Sequence, residues 1–190
     1  YGYRVNYPPP LPHPLASIIV IAKNDPARST RLIEEIIRET KYHNMELRVV
    51  ASKSVEQPSM TVHFGRKSLK QAAFFLYDTQ TDLFAKINAA VNDCDGEFIA
   101  LLDCESKITS PEWLTELVAI AAQPGVGAVS AKILDTNGTV EHAGYVLGPE
   151  CSVGSAFRRS PANSPCYFGR AKLVSGFSAT SSSCMVMQKS

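Results

Sequence analysis

A run of five apolar residues that stops at two carboxylates constrains this chain more than any other feature. Residues 98–102 are Phe-Ile-Ala-Leu-Leu, and Asp103, Cys104 and Glu105 follow them. An uninterrupted apolar run of this length predicts a strand that is buried on both faces, as in a parallel sheet covered by helices. Ligands of open α/β sheets bind at the carboxyl ends of the strands, and two acids there can hold a hard divalent cation. The alternative is a strand followed by a polar, solvated turn.

Two further segments indicate the same kind of sheet. Leu15–Ala22 is apolar on both faces, and Glu46–Ala51 is the next predicted strand along the chain. Between them, Asn24 and Asp25 stand before Pro26, which is typical of a helix start with proline near its first position. A strand–helix–strand unit implies parallel strands joined by a right-handed crossover. The predicted fold class is therefore α/β.

The rest of the chain carries more local signals. We predict one helix over Asp82–Asn92 and another that begins with Ser110 as its N-cap and Pro111 at its first position. Asn137–Gly138 predicts a hairpin turn of type I′, and Ala72–Tyr77 fits either a strand or a helix. The remaining predictions are strands at Met60–Phe64, Ala128–Leu134, Gly144–Gly148 and Ser183–Met187, and a long loop over Cys151–Lys172.

Composition sets limits on domain organisation and partners. The 190 residues suit one domain, which we expect over residues 15–190 after a proline-rich lead-in or linker at residues 1–14. Nineteen basic and eighteen acidic residues give a net charge of +1, which offers no electrostatic basis for binding nucleic acid. No apolar run approaches the roughly 18–20 residues that cross a bilayer. Five cysteines without a CxxC pair indicate reduced thiols in the cytosol.

Three stretches together resemble the family 2 glycosyltransferases with the GT-A fold, especially bacterial rhamnosyltransferases of surface polysaccharide synthesis. They are Pro14–Asn24, then Ala85–Glu105 with its Gly-Glu turn and acidic motif, and then the segment from Ser110 to the Glu-His-Ala-Gly run that ends at Gly144. Their order and spacing carry the resemblance more than any single motif does. The resemblance implies a Rossmann-like, mostly parallel sheet flanked by helices and truncated at its C-terminal side.

The resemblance also implies an activity and a cofactor. Such enzymes transfer a sugar from a nucleotide-diphosphate donor to a hydroxyl of a glycan or lipid-linked glycan, with inversion. Asp103 and Glu105 would hold Mn or Mg, although the family more often has Asp at the second position. The catalytic base is expected beyond Ser190, so we expect the chain to be part of a larger polypeptide and inactive alone. The expected location is cytoplasmic, at the inner face of the membrane through other parts of the protein.

Several positions match family sites only in part. Ile21 stands where relatives have proline, Ala51 where they have an Asp that binds the base, and Ser182 where they usually have glycine. Alanine cannot accept the bond that the Asp makes. Lys86 fits a solvated lysine equally well, and His142 fits a packed histidine. The implied nucleotide-binding residues are Ala22, Lys23, Asn24, Ala51, Ser52, Lys86 and Asp103, and the implied residues of the sugar or acceptor side are His142, Ser181 and Ser182.

Two other functions stay open at this point. The departures at Ile21, Ala51, Glu105 and Ser182 motivate a degenerate, non-catalytic GT-A module that binds a partner or a glycan within a larger protein. A nucleotidyltransferase on a related fold would usually need a Gly-rich, basic phosphate loop after the first strand. The sequence Ala-Lys-Asn-Asp-Pro at residues 22–26 is not such a loop.

Overall fold

The computed structural model describes residues 5–22, 25–52, 72–77, 82–148 and 152–189, with the backbone alone for 72–77. A six-stranded sheet forms its centre, and two small antiparallel ribbons lie outside that sheet. In chain order the strands are β1 (Ala16–Ala22), β2 (Met45–Ser52), β3 (Ala72–Tyr77), β4 (Phe98–Asp103), β5 (Ala128–Ser130), β6 (Ile133–Leu134), β7 (Val140–His142), β8 (Tyr145–Leu147), β9 (Val153–Ser155) and β10 (Cys184–Gln188).

The central sheet is mostly parallel, as the sequence predicts. Its order is β3-β2-β1-β4-β10-β5. The first four of these strands run parallel to one another, whereas β10 is antiparallel to both of its neighbours. The ambiguous segment Ala72–Tyr77 is a strand that pairs with β2. The strand predicted at Met60–Phe64 lies outside the described residues.

Helices cover both faces of the sheet, which explains why β1 is apolar throughout. The helices are α1 (Pro26–Glu39), α2 (Leu83–Asp93) and α3 (Trp113–Ala121). Successive side chains of a strand point to opposite faces. Ile18 and Val20 accordingly join the core cluster that contains residues of α1 and α3, whereas Ile19 and Ile21 join the cluster that contains residues of α2.

The N-terminus of α1 is where the sequence predicts it, and the N-terminus of α3 is not. Asp25 caps α1 by accepting a hydrogen bond from the Arg28 amide at 3.0 Å, and Pro26 follows it. In contrast, α3 begins at Trp113 with Glu112 as its N-cap residue. The predicted cap at Ser110 is therefore wrong. Its carbonyl accepts a turn bond from the Trp113 amide at 3.2 Å.

The strand predicted over Ala128–Leu134 is two strands in different sheets. β5 pairs with β10 in the central sheet, whereas β6 pairs with β7. The β6–β7 turn is a hairpin as predicted, but its type is not I′, which requires two residues with positive φ. Gly138 has φ +76° and Asn137 has no positive φ. The Gly138 amide donates to the Asp135 carbonyl, as in a type I turn that ends in a left-handed glycine.

The segment predicted as one long loop, Cys151–Lys172, contains regular structure within its described part. β9 pairs with β8, the strand predicted near Gly144–Gly148. A short 3₁₀ stretch covers Tyr167–Lys172. Short elements of three to six residues leave little periodicity in the sequence, which is why the abundance of Pro, Ser and Gly dominated the prediction.

A buried polar network lies at the amino ends of β1 and β2, away from the acidic turn. The Arg48 side chain is 4% exposed and lies between two carboxylates, 3.1 Å from Glu46 and 2.8 Å from Asp93. Glu46 also accepts hydrogen bonds from the Ser17 hydroxyl and, at 2.8 Å, from the Asp95 amide. Each buried charge therefore has a charged partner, as a low-dielectric interior requires.

Gly96 lies against this network, and we expect its replacement by alanine to destabilise the fold. A Cβ there would lie 2.3 Å from the Ser17 hydroxyl and 2.7 Å from the Ser17 backbone nitrogen. Because backbone cannot move aside easily, Gly96→Ala should lower the free energy of unfolding by about 1–3 kcal/mol. Gly127→Ala is the matched control, since no heavy atom lies within 4 Å of its added Cβ. Urea unfolding measures both, and equal midpoints for the two variants would contradict the close contact.

Candidate active site

The carboxyl ends of three parallel strands meet at one edge of the sheet. Ala22 at the end of β1 lies opposite Ala51 of β2, and Ile21 lies opposite Asp103 of β4. This edge therefore brings together the strand ends that the sequence assigned to nucleotide and cation. β10 runs in the opposite direction and starts beside Leu102, so the residues just before it reach the same edge.

The acidic turn after β4 is held by backbone hydrogen bonds from both neighbouring strands. The Asp103 amide donates to the Ser183 carbonyl at 2.9 Å, and the Cys104 amide donates to the Ile21 carbonyl at 3.1 Å. One Asp103 carboxylate oxygen accepts the Glu105 amide at 3.0 Å. Cys104 is buried at 3% exposure and belongs to the core. Asp103 is half-buried and Glu105 is exposed, so the turn anchors its middle residue and presents the two acids.

Arg28 is a member of this site that the sequence analysis missed. Its guanidinium donates to a Glu105 carboxylate oxygen at 3.2 Å and pairs with Asp25 at 3.0 Å. All three side chains are 44–58% exposed, and exposed pairs of this kind contribute little to stability. The pair can therefore exchange partners readily. The signal was its place in the first turn of a helix that directly follows β1, which puts it at the carboxyl edge.

The acids fit a cation that is shared with a ligand better than a closed protein site. Among the described residues, no group of three or more His, Cys, Asp or Glu side chains could hold a metal ion. Asp103 and Glu105 supply oxygen donors, which hard cations prefer. Mg²⁺ is commonly bound by one or two carboxylates together with substrate phosphates and water. The two acids are thus suitable residues for Mn²⁺ or Mg²⁺ when phosphates complete the coordination.

The other positions assigned to the nucleotide are distributed unevenly. Ala22 and Ala51 are 2% and 6% exposed, so only their backbone could meet a ligand. Ser52 is half-buried at the end of β2. Lys86 lies on α2, whose apolar residues cover the face of the sheet opposite α1 and α3. Lys23 and Asn24 lie outside the described residues.

His142 and Ser181, assigned to the sugar or acceptor side, are in direct contact. The Ser181 amide donates to Nε2 of His142 at 3.0 Å. The hydroxyls of Ser181 and Ser183 lie 2.9 Å apart, and the Ser183 amide donates to the Ser181 hydroxyl at 3.2 Å. His142 is therefore linked through two serines to the backbone that holds Asp103. Ser182, between them, is exposed.

The environment of His142 favours its neutral form. The side chain belongs to a residue that is only 5% exposed. Burial lowers the pKa of His142 from its usual 6.5, and the charge of Glu141 opposes this shift. The ring of Tyr145 lies against the imidazole with 4.4 Å between centroids. At neutral pH the imidazole is thus uncharged, so one ring nitrogen accepts and the other donates a hydrogen bond.

Comparison with known proteins assigns the chain to a family. Residues 17–185 match glycosyl transferase family 2, and the chain belongs to that family. Two similar proteins are the O-antigen biosynthesis protein RfbC of Myxococcus xanthus, 30% identical over 190 residues, and the uncharacterized protein y4gI of Sinorhizobium fredii, 33% identical over 177 residues. The matches cover 98% and 93% of this chain but 15% and 20% of those proteins, respectively.

A solved structure shows the same fold. It is the mannosyltransferase PcManGT from Pyrobaculum calidifontis in complex with GDP-Man and Mn²⁺. The TM-score is 0.54 with 23% identity, and the match covers 70% of this chain and 39% of that one. The mixed α/β architecture with its mostly parallel sheet is accordingly the GT-A fold of glycosyltransferases. In the described part of the chain, no helix is long and apolar enough to span a membrane.

Proposed function

We propose that this domain binds a nucleotide-diphosphate sugar for an inverting, cation-assisted transfer of the sugar to a hydroxyl of a glycan. The observation that carries the proposal is the placement of Asp103 and Glu105 after β4, at the edge where β1 and β2 also end. The GDP-Man and Mn²⁺ named for the mannosyltransferase of the same fold support it. The relative named for O-antigen biosynthesis supports a polysaccharide or lipid-linked glycan as acceptor, and a hexosyl or rhamnosyl group as the transferred sugar.

In this proposal each element of the edge has one task. The backbone at Ala22 and Ala51, with Lys23, Asn24, Ser52 and Lys86, surrounds the nucleotide. Asp103 and Glu105 hold Mn²⁺ or Mg²⁺, which when bound neutralises the charge that the leaving diphosphate develops. Arg28 already lies on Glu105, so its guanidinium is close enough to the edge to pair with a phosphate oxygen.

The departures from the family pattern do not favour a non-catalytic module. Family membership extends over residues 17–185, and the two acids keep the backbone support described above. The loss of an acidic side chain at Ala51 affects the nucleotide base, which backbone groups or Ser52 can contact instead. We further propose a cytoplasmic location, with contact to the membrane face made by other parts of the protein. The cysteines described, Cys94, Cys104, Cys166 and Cys184, are free thiols, which supports it.

Calorimetric titration of nucleotides into the 190-residue chain tests this function. UDP, dTDP and GDP are added with and without Mn²⁺, and the corresponding monophosphates serve as matched ligands that lack the second phosphate. We expect one diphosphate to bind only with the cation and its monophosphate to bind more weakly. Binding that ignores Mn²⁺ would remove the two acids from the mechanism, and binding of none of the three would contradict the proposed donor site.

A further inference from the structure

A cavity of about 240 Å³ opens beside the acidic turn, on the other side of Ser183. The Ser183 carbonyl accepts the Asp103 amide at 2.9 Å, so one residue separates this cavity from the proposed cation site. A volume of this size is below the roughly 300–1,000 Å³ of sites for drug-sized ligands. The cavity is lined by Ile133, Glu141, His142, Tyr145, Ser155, Arg158, Ser181 and Ser183.

The wall of this cavity contains a buried donor without a protein partner. Nδ1 of His142 has no hydrogen-bond partner among the described residues, although the residue is only 5% exposed. Nε2 accepts the Ser181 amide, and the bond made by one ring nitrogen determines which nitrogen carries the proton. In the neutral ring Nδ1 therefore carries the hydrogen. Buried polar groups of native proteins are normally satisfied, so this N–H requires an acceptor from outside the chain.

The lining defines the class of molecule that supplies the acceptor. Three serine hydroxyls can each donate and accept, and the Tyr145 ring offers an aromatic face. The single negative charge of Glu141 and the single positive charge of Arg158 balance each other, which disfavours a phosphate or another strongly charged group. A small, uncharged ring with many hydroxyls matches these features.

We infer that this cavity binds one sugar ring through its hydroxyls and that Nδ1 of His142 donates a hydrogen bond to a sugar oxygen. The inference rests on the proposed function, because it assigns a substrate group to a neighbouring part of the same edge. The ring is either the sugar of the donor or the terminal sugar of the acceptor, since both present the same hydroxyl chemistry.

Imidazole NMR spectra of the chain labelled with ¹⁵N-histidine test the inference directly. The probes are the methyl α-glycosides of rhamnose, mannose, glucose, galactose and N-acetylglucosamine, and the nucleotide sugars UDP-glucose, dTDP-rhamnose and GDP-mannose. We expect at least one probe to shift the Nδ1–H signal of His142. A shift caused by a glycoside identifies the acceptor sugar, and a shift caused only by a nucleotide sugar identifies the donor sugar. The inference is overturned if no probe moves this signal.

A conservative variant separates the ligand bond from the structural one. In His142→Gln the amide oxygen can still accept the Ser181 amide, whereas no donor remains at the position of Nδ1. Affinity for the shifting sugar should fall about 5- to 30-fold, while affinity for the nucleotide diphosphate stays unchanged. His43→Gln, on an exposed histidine, should change neither. Sugar affinity equal to that of the wild type in His142→Gln would also overturn the inference.

Two results distinguish failure of this inference from failure of the proposed function. Nucleotide binding with no effect of any sugar on His142 retains the donor site and overturns the sugar cavity. A sugar-dependent shift of His142 without binding of any nucleotide retains the cavity and overturns the donor site. Should His142→Gln fail to fold, Ser155→Ala removes a hydroxyl from the lining, and a lowered sugar affinity is expected from it as well.

Discussion

Replacing Asp103 by Asn should abolish the cation-dependent part of nucleotide binding, a loss of about 100-fold or more in affinity. Asn has nearly the same shape as Asp, and its carbonyl oxygen can still accept the Glu105 amide that Asp103 accepts at 3.0 Å. The backbone bond from residue 103 to Ser183 does not involve the side chain. The turn should therefore keep its conformation, and the change removes a negative charge from the position where a cation would bind.

Comparison variants make this result specific. Glu105→Gln should weaken binding in the same direction but by less, because Glu105 is exposed and already shares its charge with Arg28. Glu34→Gln removes an exposed carboxylate from α1 and should have no effect. Calorimetry with and without Mn²⁺ measures all three variants. If Asp103→Asn bound nucleotide with unchanged cation dependence, the acidic turn would not be the cation site.

Replacing Arg48 by Met should lower the free energy of unfolding by about 3–5 kcal/mol. Arg48 is buried between Glu46 and Asp93, and its guanidinium also donates to the carbonyls of Leu47 and Asp93. Met fills a similar volume, so the main loss is charge. Glu46 is 2% exposed and would remain ionised in a low-dielectric environment without its cation, which is the expensive half of a broken buried pair.

A second change should recover part of this loss. Glu46→Gln in the Arg48→Met background removes the uncompensated charge, and its amide oxygen can still accept the bonds from Ser17 and Asp95. The double variant should therefore be more stable than Arg48→Met alone. Arg38→Met is the matched control, because the Arg38–Glu39 pair is exposed and should change stability little. Equal destabilisation by both arginine changes would contradict the network, and urea unfolding provides the measurement.

The sequence was sufficient to predict the central sheet because burial on both faces leaves an unmistakable composition. β1 and β4 are almost wholly apolar, and both lie between helices in the structure. The N-terminus of α1 was also predictable, since Asp25 caps the helix and Pro26 fits its first turn without needing an amide hydrogen. Local chemistry and tertiary position agree at these places.

Predictions failed where tertiary contacts override a local preference. Ser110 and Pro111 form a good helix start locally, yet the Pro111 carbonyl accepts the Lys41 amide at 2.9 Å from outside the helix, and α3 begins only at Trp113. The run over Ala128–Leu134 is continuous in sequence, but its two halves pair with different partners, β10 and β7. Nothing within seven residues specifies which strand lies beside them.

The candidate site was predictable in part for the same reason. Parallel strands end at one edge, so Ala22, Ala51 and Asp103 had to lie near one another once the sheet was assigned. The contact between His142 and Ser181 joins residues far apart in sequence, and no periodicity indicates it. Arg28 belonged to a helix whose residues were interpreted only as an apolar stripe, and its pairing with Glu105 depends on how α1 packs against the sheet.

The position of β10 has a consequence for synthesis of the protein. β4 lies between β1 and β10, and the strand that completes its second side is made long after β4 itself. Until Cys184–Gln188 leaves the ribosome, β4 has one row of unpaired amides and carbonyls. Unpaired edges of apolar strands promote association between chains, and such distant pairing slows folding. A chain that terminates before Cys184 should therefore aggregate, even though it would contain both acids of the proposed cation site.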